Sequence, residues 1–168
     1  VGGTSIGREL LDLCGAAYPL LERSIPDLQM VLVCGPRLDP RELRVPHGVK
    51  VEGYVPALHK HLAACDLAVV QGGGTVTLEL TALRRPFLFF PIEGHCEQEV
   101  YVADRLARHR AGVRLRQSVT SPAQLAEAIL TNLRAAVRWP GIPADGARQA
   151  AAAILGLLQS NPQSSAAP

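Results

Sequence analysis

The chain has 168 residues, 48% of them hydrophobic and 19% charged, which excludes a disordered polyelectrolyte and allows one domain with a substantial core. A formal net charge of +2 is too small to argue for nucleic acid or a membrane surface as partner. No apolar run approaches the roughly 20 residues of a membrane span, and no signal-peptide pattern is present.

The first residues, Val1-Gly2-Gly3-Thr4-Ser5-Ile6-Gly7, carry no Met and read as a glycine loop whose preceding strand has been cut off. The expectation is a fragment of a longer protein. Arg8 to Arg23 places Leu10, Leu11, Leu13, Cys14, Ala17, Leu20 and Leu21 at helical spacing, with Thr4 or Ser5 as cap. Pro26 separates this helix from Gln29–Cys34, an apolar run of the kind buried in parallel sheets. Gly35-Pro36 breaks it, and residues 37–48 read as an excursion. Val49 to Val55 alternates as a short strand, and Pro56 opens a helix to about Ala64.

Strand Leu67–Val70 then meets three consecutive glycines, Gly72, Gly73 and Gly74, and a helix starts at once. Arg85-Pro86 ends that helix, and Phe87 to Phe90 is the next strand. Glu97 to His109 reads as helix and Val113 to Leu115 as a short strand. Thr120 or Ser121 caps a helix with Pro122 in its first turn, running to about Val137 and stopped by Trp139-Pro140-Gly141. Asp145 to Gln159 is a final Ala/Leu-rich helix. The domain is expected over residues 1–159, with a disordered Ser/Pro/Ala-rich tail over 160–168.

Short apolar strands alternating with helices specify an α/β fold, a Rossmann-like doubly wound parallel sheet. Ligands in such sheets bind beyond the strand C-termini, where both glycine loops fall. Cys14, Cys34, Cys65 and Cys96 form no C-x-x-C pair, and three of them sit in apolar segments. They read as free thiols in a reducing, cytoplasmic compartment.

Gly2 to Gly7 has the G-x-x-x-x-G spacing of a P-loop, but Arg8-Glu9 stands where Lys and a Mg-binding hydroxyl are needed, which argues against an ATPase. It is not G-x-G-x-x-G, so a dinucleotide reading is weak. No G-x-S-x-G or H-E-x-x-H occurs, and His59 and His61 point different ways on a helix, so no metal is expected. Gly72–Gly74 is the stronger signal: one glycine suffices for a turn, whereas three let a ligand touch the backbone. Thr75 and Thr77 add hydroxyls at the helix start. Glu79 either complements the helix dipole or accepts hydrogen bonds from a ribose diol.

Gly73-Gly74-Thr75, Glu79, Arg85-Pro86, Pro91, Gln98, Ala103 and Gly112, with the opening Gly2–Arg8, resemble the C-terminal donor-binding domain of GT-B glycosyltransferases. The resemblance covers roughly residues 1–140. It is greatest to family 28, the group of the peptidoglycan N-acetylglucosaminyltransferase, and looser to the UDP-glycosyltransferases. It implies a nucleotide-sugar donor, UDP-sugar foremost, transfer of a hexosyl group with inversion, and no cofactor. Position by position, it implies that Glu79 binds the ribose hydroxyls. Gly73, Gly74, Thr75 and Val76 form the loop meeting the diphosphate. Tyr54 and Val55 cover the base, and Gln98 contacts the donor sugar. Gly3, Thr4 and Arg8 lie near the phosphates and the cleft.

The chain departs from the plant-type enzymes, which have His at the position of Gln71 and an Asp-Gln pair for the sugar. That region here reads His95-Cys96-Glu97-Gln98-Glu99, and a common Asn-Ala reads Val102-Ala103. The implied partner is an N-terminal acceptor-binding domain, in cis or in trans, which would also supply the catalytic base. Membrane association through that half, at the inner face, stays open. So do a stand-alone donor-binding subunit and a sugar-nucleotide epimerase.

Overall fold

The computed structural model describes residues 7–133, 135–143 and 145–160. Among these residues five strands, paired in parallel, form a two-stranded and a three-stranded ladder. β1 (Met30–Val33) pairs with β2 (Val49–Glu52), in register from Met30 with Val49 to Val33 with Glu52. In the second ladder, β4 (Phe87–Phe90) lies between β3 (Ala68–Gln71) and β5 (Val113–Arg114). The helices are α1 (Arg8–Glu22), α2 (Leu58–Ala64), α3 (Gly74–Ala82), α4 (Ala103–His109), α5 (Pro122–Leu133) and α6 (Gly146–Ser160).

β4 shows why the strands must lie between layers. Its four residues are all buried, and their alternation sends Leu88 and Phe90 to one core and Phe87 and Phe89 to another. The first core joins α1 (Leu10, Leu11, Cys14, Ala17, Leu21), β1 (Leu32) and α5 (Leu125, Ala126, Ile129). Through it, both ladders share one hydrophobic layer. The second joins Leu62 of α2, Leu80 of α3, Leu106 of α4 and Trp139. This is the α/β, Rossmann-like arrangement expected from the alternation of strands and helices. In β2, Val49 and Val51 pack on the core while Lys50 and Glu52 pair on the other face at 2.8 Å.

Several boundaries moved for physical reasons. The N-cap position of α1 falls on Gly7, with no side-chain cap, and Thr4 and Ser5 lie outside the described residues. Pro19 sits inside α1 at an exposed position, where it removes one helical hydrogen bond without touching the core face. Ser121, not Thr120, caps α5: its Oγ accepts from Gln124 N–H at 3.3 Å and its own N–H donates to Gln124 Oε1 at 2.8 Å. The segment expected to be helical over Glu97 to His109 begins as π-helix over Glu97–Val102 and tightens to α4 at Ala103. Gly112, at φ +69°, is required twice over, since a Cβ there would fall 2.3 Å from the Phe87 ring.

α6 makes its whole length accessible, with Ile154, Leu155, Leu157 and Leu158 all more than half exposed. No helix among the described residues is long and apolar enough to cross a membrane.

All four cysteines are free thiols. Burial pushes the Cys14 thiol up to about 12, and Cys34 is buried with its Sγ 3.4 Å from the Leu38 carbonyl. Cys96 is exposed. Alkylation of the native protein at pH 8 is therefore expected to modify Cys96 first and to leave Cys14 and Cys34 unmodified until denaturant is added. Peptide mass mapping over time checks this, and early labelling of Cys14 would contradict the burial described.

Candidate functional site

The site is built where β3 runs into α3. Gly72 continues the ladder, its N–H donating to the Phe90 carbonyl at 3.0 Å. A Cβ on Gly72 would lie 2.9 Å from the Pro91 Cα, so the fold itself demands glycine there. Gly73 and Gly74 differ. Gly73 occupies the N-cap position of α3 with φ −66° and ψ 137°, extended backbone open to any residue. A Cβ on Gly73 would find its nearest neighbour, Val76 Cγ1, at 3.9 Å. One on Gly74 would make ordinary contacts with Glu97 and Val102, at 3.7 and 4.0 Å. Neither packing nor backbone conformation asks for glycine at these two positions.

The carbonyls of this loop are tied down from behind. The Thr77 hydroxyl donates to the Gly73 carbonyl at 2.8 Å, and Thr77 is fully buried. Thr81 donates to the Thr77 carbonyl at 2.7 Å, and Trp139 Nε1–H donates to the Thr81 carbonyl at 3.0 Å. A chain of hydrogen bonds thus runs along α3 from the Trp139 indole to the glycine loop. Arg105 of α4 donates to the Gly74 carbonyl at 3.1 Å, with Thr77 Oγ1 at 3.5 Å. Thr77, read from the sequence as an added hydroxyl at the helix start, faces inward. Arg105 and Trp139 were not singled out as site residues, because each reaches α3 from a distant part of the chain.

Thr75 is exposed, Val76 is half-buried and packs on the second core, and Glu79 is half-buried. Among the described residues the Glu79 carboxylate accepts no hydrogen bond and joins no ion pair. The loop after β4 is braced at several points. Ile92 N–H donates to Gln98 Oε1 at 3.0 Å, and Gly94 N–H to Glu99 Oε2 at 2.9 Å. Ser118 N–H donates to Glu93 Oε1 at 2.9 Å. That backbone hydrogen bond, with Arg116 3.7 Å away, holds the Glu93 carboxyl below its usual range. Gln98 therefore shapes its loop with its carbonyl oxygen, leaving the amide NH2 for another partner. A cleft of about 360 Å³ lies between this loop, the end of β3 and the first turn of α1, lined in part by Glu9, Gln71, Pro91, Glu93 and Ser118 and by no residue of Gly73 to Glu79.

The remaining expected site residues are less closely gathered. Tyr54 follows β2 and is 71% exposed, and Val55 beside it is half-buried. Arg8 donates to the Glu42 carbonyl at 2.9 Å and pairs with the Glu42 and Asp12 carboxylates at 3.5 and 3.8 Å. Gly3 and Thr4 lie outside the described residues. Among the described residues no cluster of three His, Cys, Asp or Glu could hold a metal ion.

Residues 1–143 match the glycosyltransferase family 28 C-terminal domain. The chain belongs to this family. Over 163 residues the family 28 domain is 28% identical to an uncharacterized glycosyltransferase of Methanopyrus kandleri, covering 94% of this chain and 44% of that protein. Over 65 residues it is 37% identical to the UDP-N-acetylglucosamine–N-acetylmuramyl-(pentapeptide) pyrophosphoryl-undecaprenol N-acetylglucosamine transferase of Acidiphilium cryptum, covering 39% of this chain and 17% of that one. Among solved structures it is similar to CalG4, the calicheamicin glycosyltransferase, with TM-score 0.59 and 24% identity over 76% of this chain and 30% of that one. The family 28 domain is thus a glycosyltransferase domain of GT-B architecture, and it spans less than half the length of the relatives it matches.

Proposed function

We propose that this domain binds the nucleoside-diphosphate sugar donor, a UDP-sugar, of a hexosyltransferase. The observation that carries the reading is the pair Gly73 and Gly74: glycines that the fold does not require, at the N-terminus of a helix that follows a strand end. Bare backbone there lets a diphosphate reach the amides, and the positive end of the α3 dipole favours it. The Glu79 carboxylate, without a partner among the described residues and within the same helix, suits a ribose diol. Tyr54 and Val55 supply the base end, and the Gln98 amide NH2 faces the sugar's hydroxyls. In the reaction, the same amides stabilise the charge that builds on the leaving diphosphate as the sugar–phosphate bond breaks. A base on the acceptor-binding half, in cis or in trans, activates the acceptor hydroxyl. The free thiols fit a reducing, cytoplasmic setting.

Calorimetric titration of the protein with UDP, TDP, GDP and ADP tests this. UDP or TDP is expected to bind most tightly. Equal affinity for all of them, or for none, would overturn the donor reading.

A further inference from the structure

Arg105 stands in an electrostatic position that the fold alone does not explain. It is half-buried on α4 and reaches the first turn of α3 across 31 residues of sequence. Among the described residues its guanidinium bonds only to neutral oxygens, the Gly74 carbonyl and more distantly the Thr77 hydroxyl. Arg105 takes part in none of the ion pairs found among the described residues. The Glu97 carboxylate flanks Gly74 on the same side without pairing with it. A cation is thereby held against the end of a helix whose own dipole is already positive, the opposite of the arrangement that stabilises a helix. Two like electrostatic terms accumulate at one place, offset only in part by the Glu97 carboxylate, and an anion arriving at the loop relieves both.

We infer that Arg105 is a positioning residue for the donor's diphosphate. It fixes the first turn of α3, so that the loop amides keep their direction, and it adds positive potential behind them. The inference rests on the donor-binding reading above. The geometry makes Arg105 act through Gly74: its hydrogen bond ends on the Gly74 carbonyl, and the amides of that turn are the groups offered to the ligand.

The test compares wild type, Arg105→Gln and Arg105→Lys by titration with uridine, UMP and UDP at low and high salt. For Arg105→Gln the dissociation constant for UDP is expected to rise about tenfold at low salt, the scale of one partly screened charge. UMP should lose less and uridine nothing, and added salt should shrink the difference. Arg105→Lys keeps the charge and is expected to restore most of the affinity. A thermal melt of each variant accompanies the titrations. If Arg105→Gln weakens uridine and UDP alike, with no salt dependence and no rescue by lysine, Arg105 is only a packing residue and the inference falls. The same holds if wild-type and Arg105→Gln bind UDP equally. Failure of wild type to bind any of the three probes would instead sink the donor reading itself. Should the glutamine variant prove too unstable to titrate, the lysine variant decides the matter through its own ratio of UDP to uridine affinity, expected to stay near that of wild type and overturning the inference if it collapses.

Discussion

Gly73→Ala is expected to leave the domain folded and to weaken UDP binding by about 2–3 kcal/mol, roughly 30–140-fold in Kd. The neighbouring Gly72→Ala should behave in the opposite sense. At Gly73 the backbone is extended and a methyl meets nothing closer than 3.9 Å. Alanine is a poorer N-cap than glycine by roughly 0.5–1 kcal/mol, and the reduced freedom of the unfolded chain returns about 0.4–1 kcal/mol. Stability should therefore stay within about 0.5 kcal/mol of wild type. The methyl nonetheless stands where a diphosphate must approach the amides, and hydrogen bonds to a charged group are among the more valuable ones lost. At Gly72 a methyl would be forced to 2.9 Å from the Pro91 backbone, which cannot yield as a flexible side chain would. That variant should lose about 1–3 kcal/mol of stability, as overpacked sites do. Denaturant melts and UDP titrations of both variants check the pair. A destabilised Gly73→Ala, or one that binds UDP normally, would remove the observation on which the functional reading rests.

Glu79→Ala is expected to weaken UDP by about 1–3 kcal/mol while barely changing stability, because the carboxylate has no protein partner to lose among the described residues. A ligand that lacks the diol separates this role from a general electrostatic one. Wild type should bind 2′,3′-dideoxy-UDP less tightly than UDP, and Glu79→Ala should no longer distinguish them. If the variant still preferred UDP, or bound it more tightly through relief of repulsion with the phosphates, the ribose assignment would be wrong.

Much of the scaffold was legible because it depends on local pattern. Phe87–Phe90 can only be a strand buried on both faces, and the glycines after Gln71 mark a strand end. Thr120-Ser121 followed by Pro122 marks a helix start. The parts that were not legible depend on distant partners. Nothing near Arg105 indicates that its guanidinium closes on Gly74, and nothing near Thr77 indicates that its hydroxyl turns inward. The helix expected to run to Val137 is described over Pro122–Leu133, and Val137 and Trp139 instead pack on the second core. The Trp139 ring stacks edge-on against Phe87 at 6.1 Å. Gln98 was legible as a site residue, but not its use as a brace, which follows from a hydrogen bond to Ile92 across the loop.

The π-helical stretch Glu97–Val102 has a consequence for how this loop can change over evolutionary time. A π-turn is an α-helix carrying one surplus residue, so it sits close to a single-codon deletion or insertion. Removing one residue would let the segment relax to α-helix and swing everything before it, His95 to Gln98 included, by about 100° around the helix axis. α4 and the Arg105 bond to Gly74 would stay where they are, because the surplus is absorbed before Ala103. The segment borders Gly74 through Glu97 and Val102, so such a change would alter one flank of the glycine loop while Arg105 held its other contact. Indels there can re-aim His95 to Gln98 while the bond from Arg105 to Gly74 is inherited unchanged.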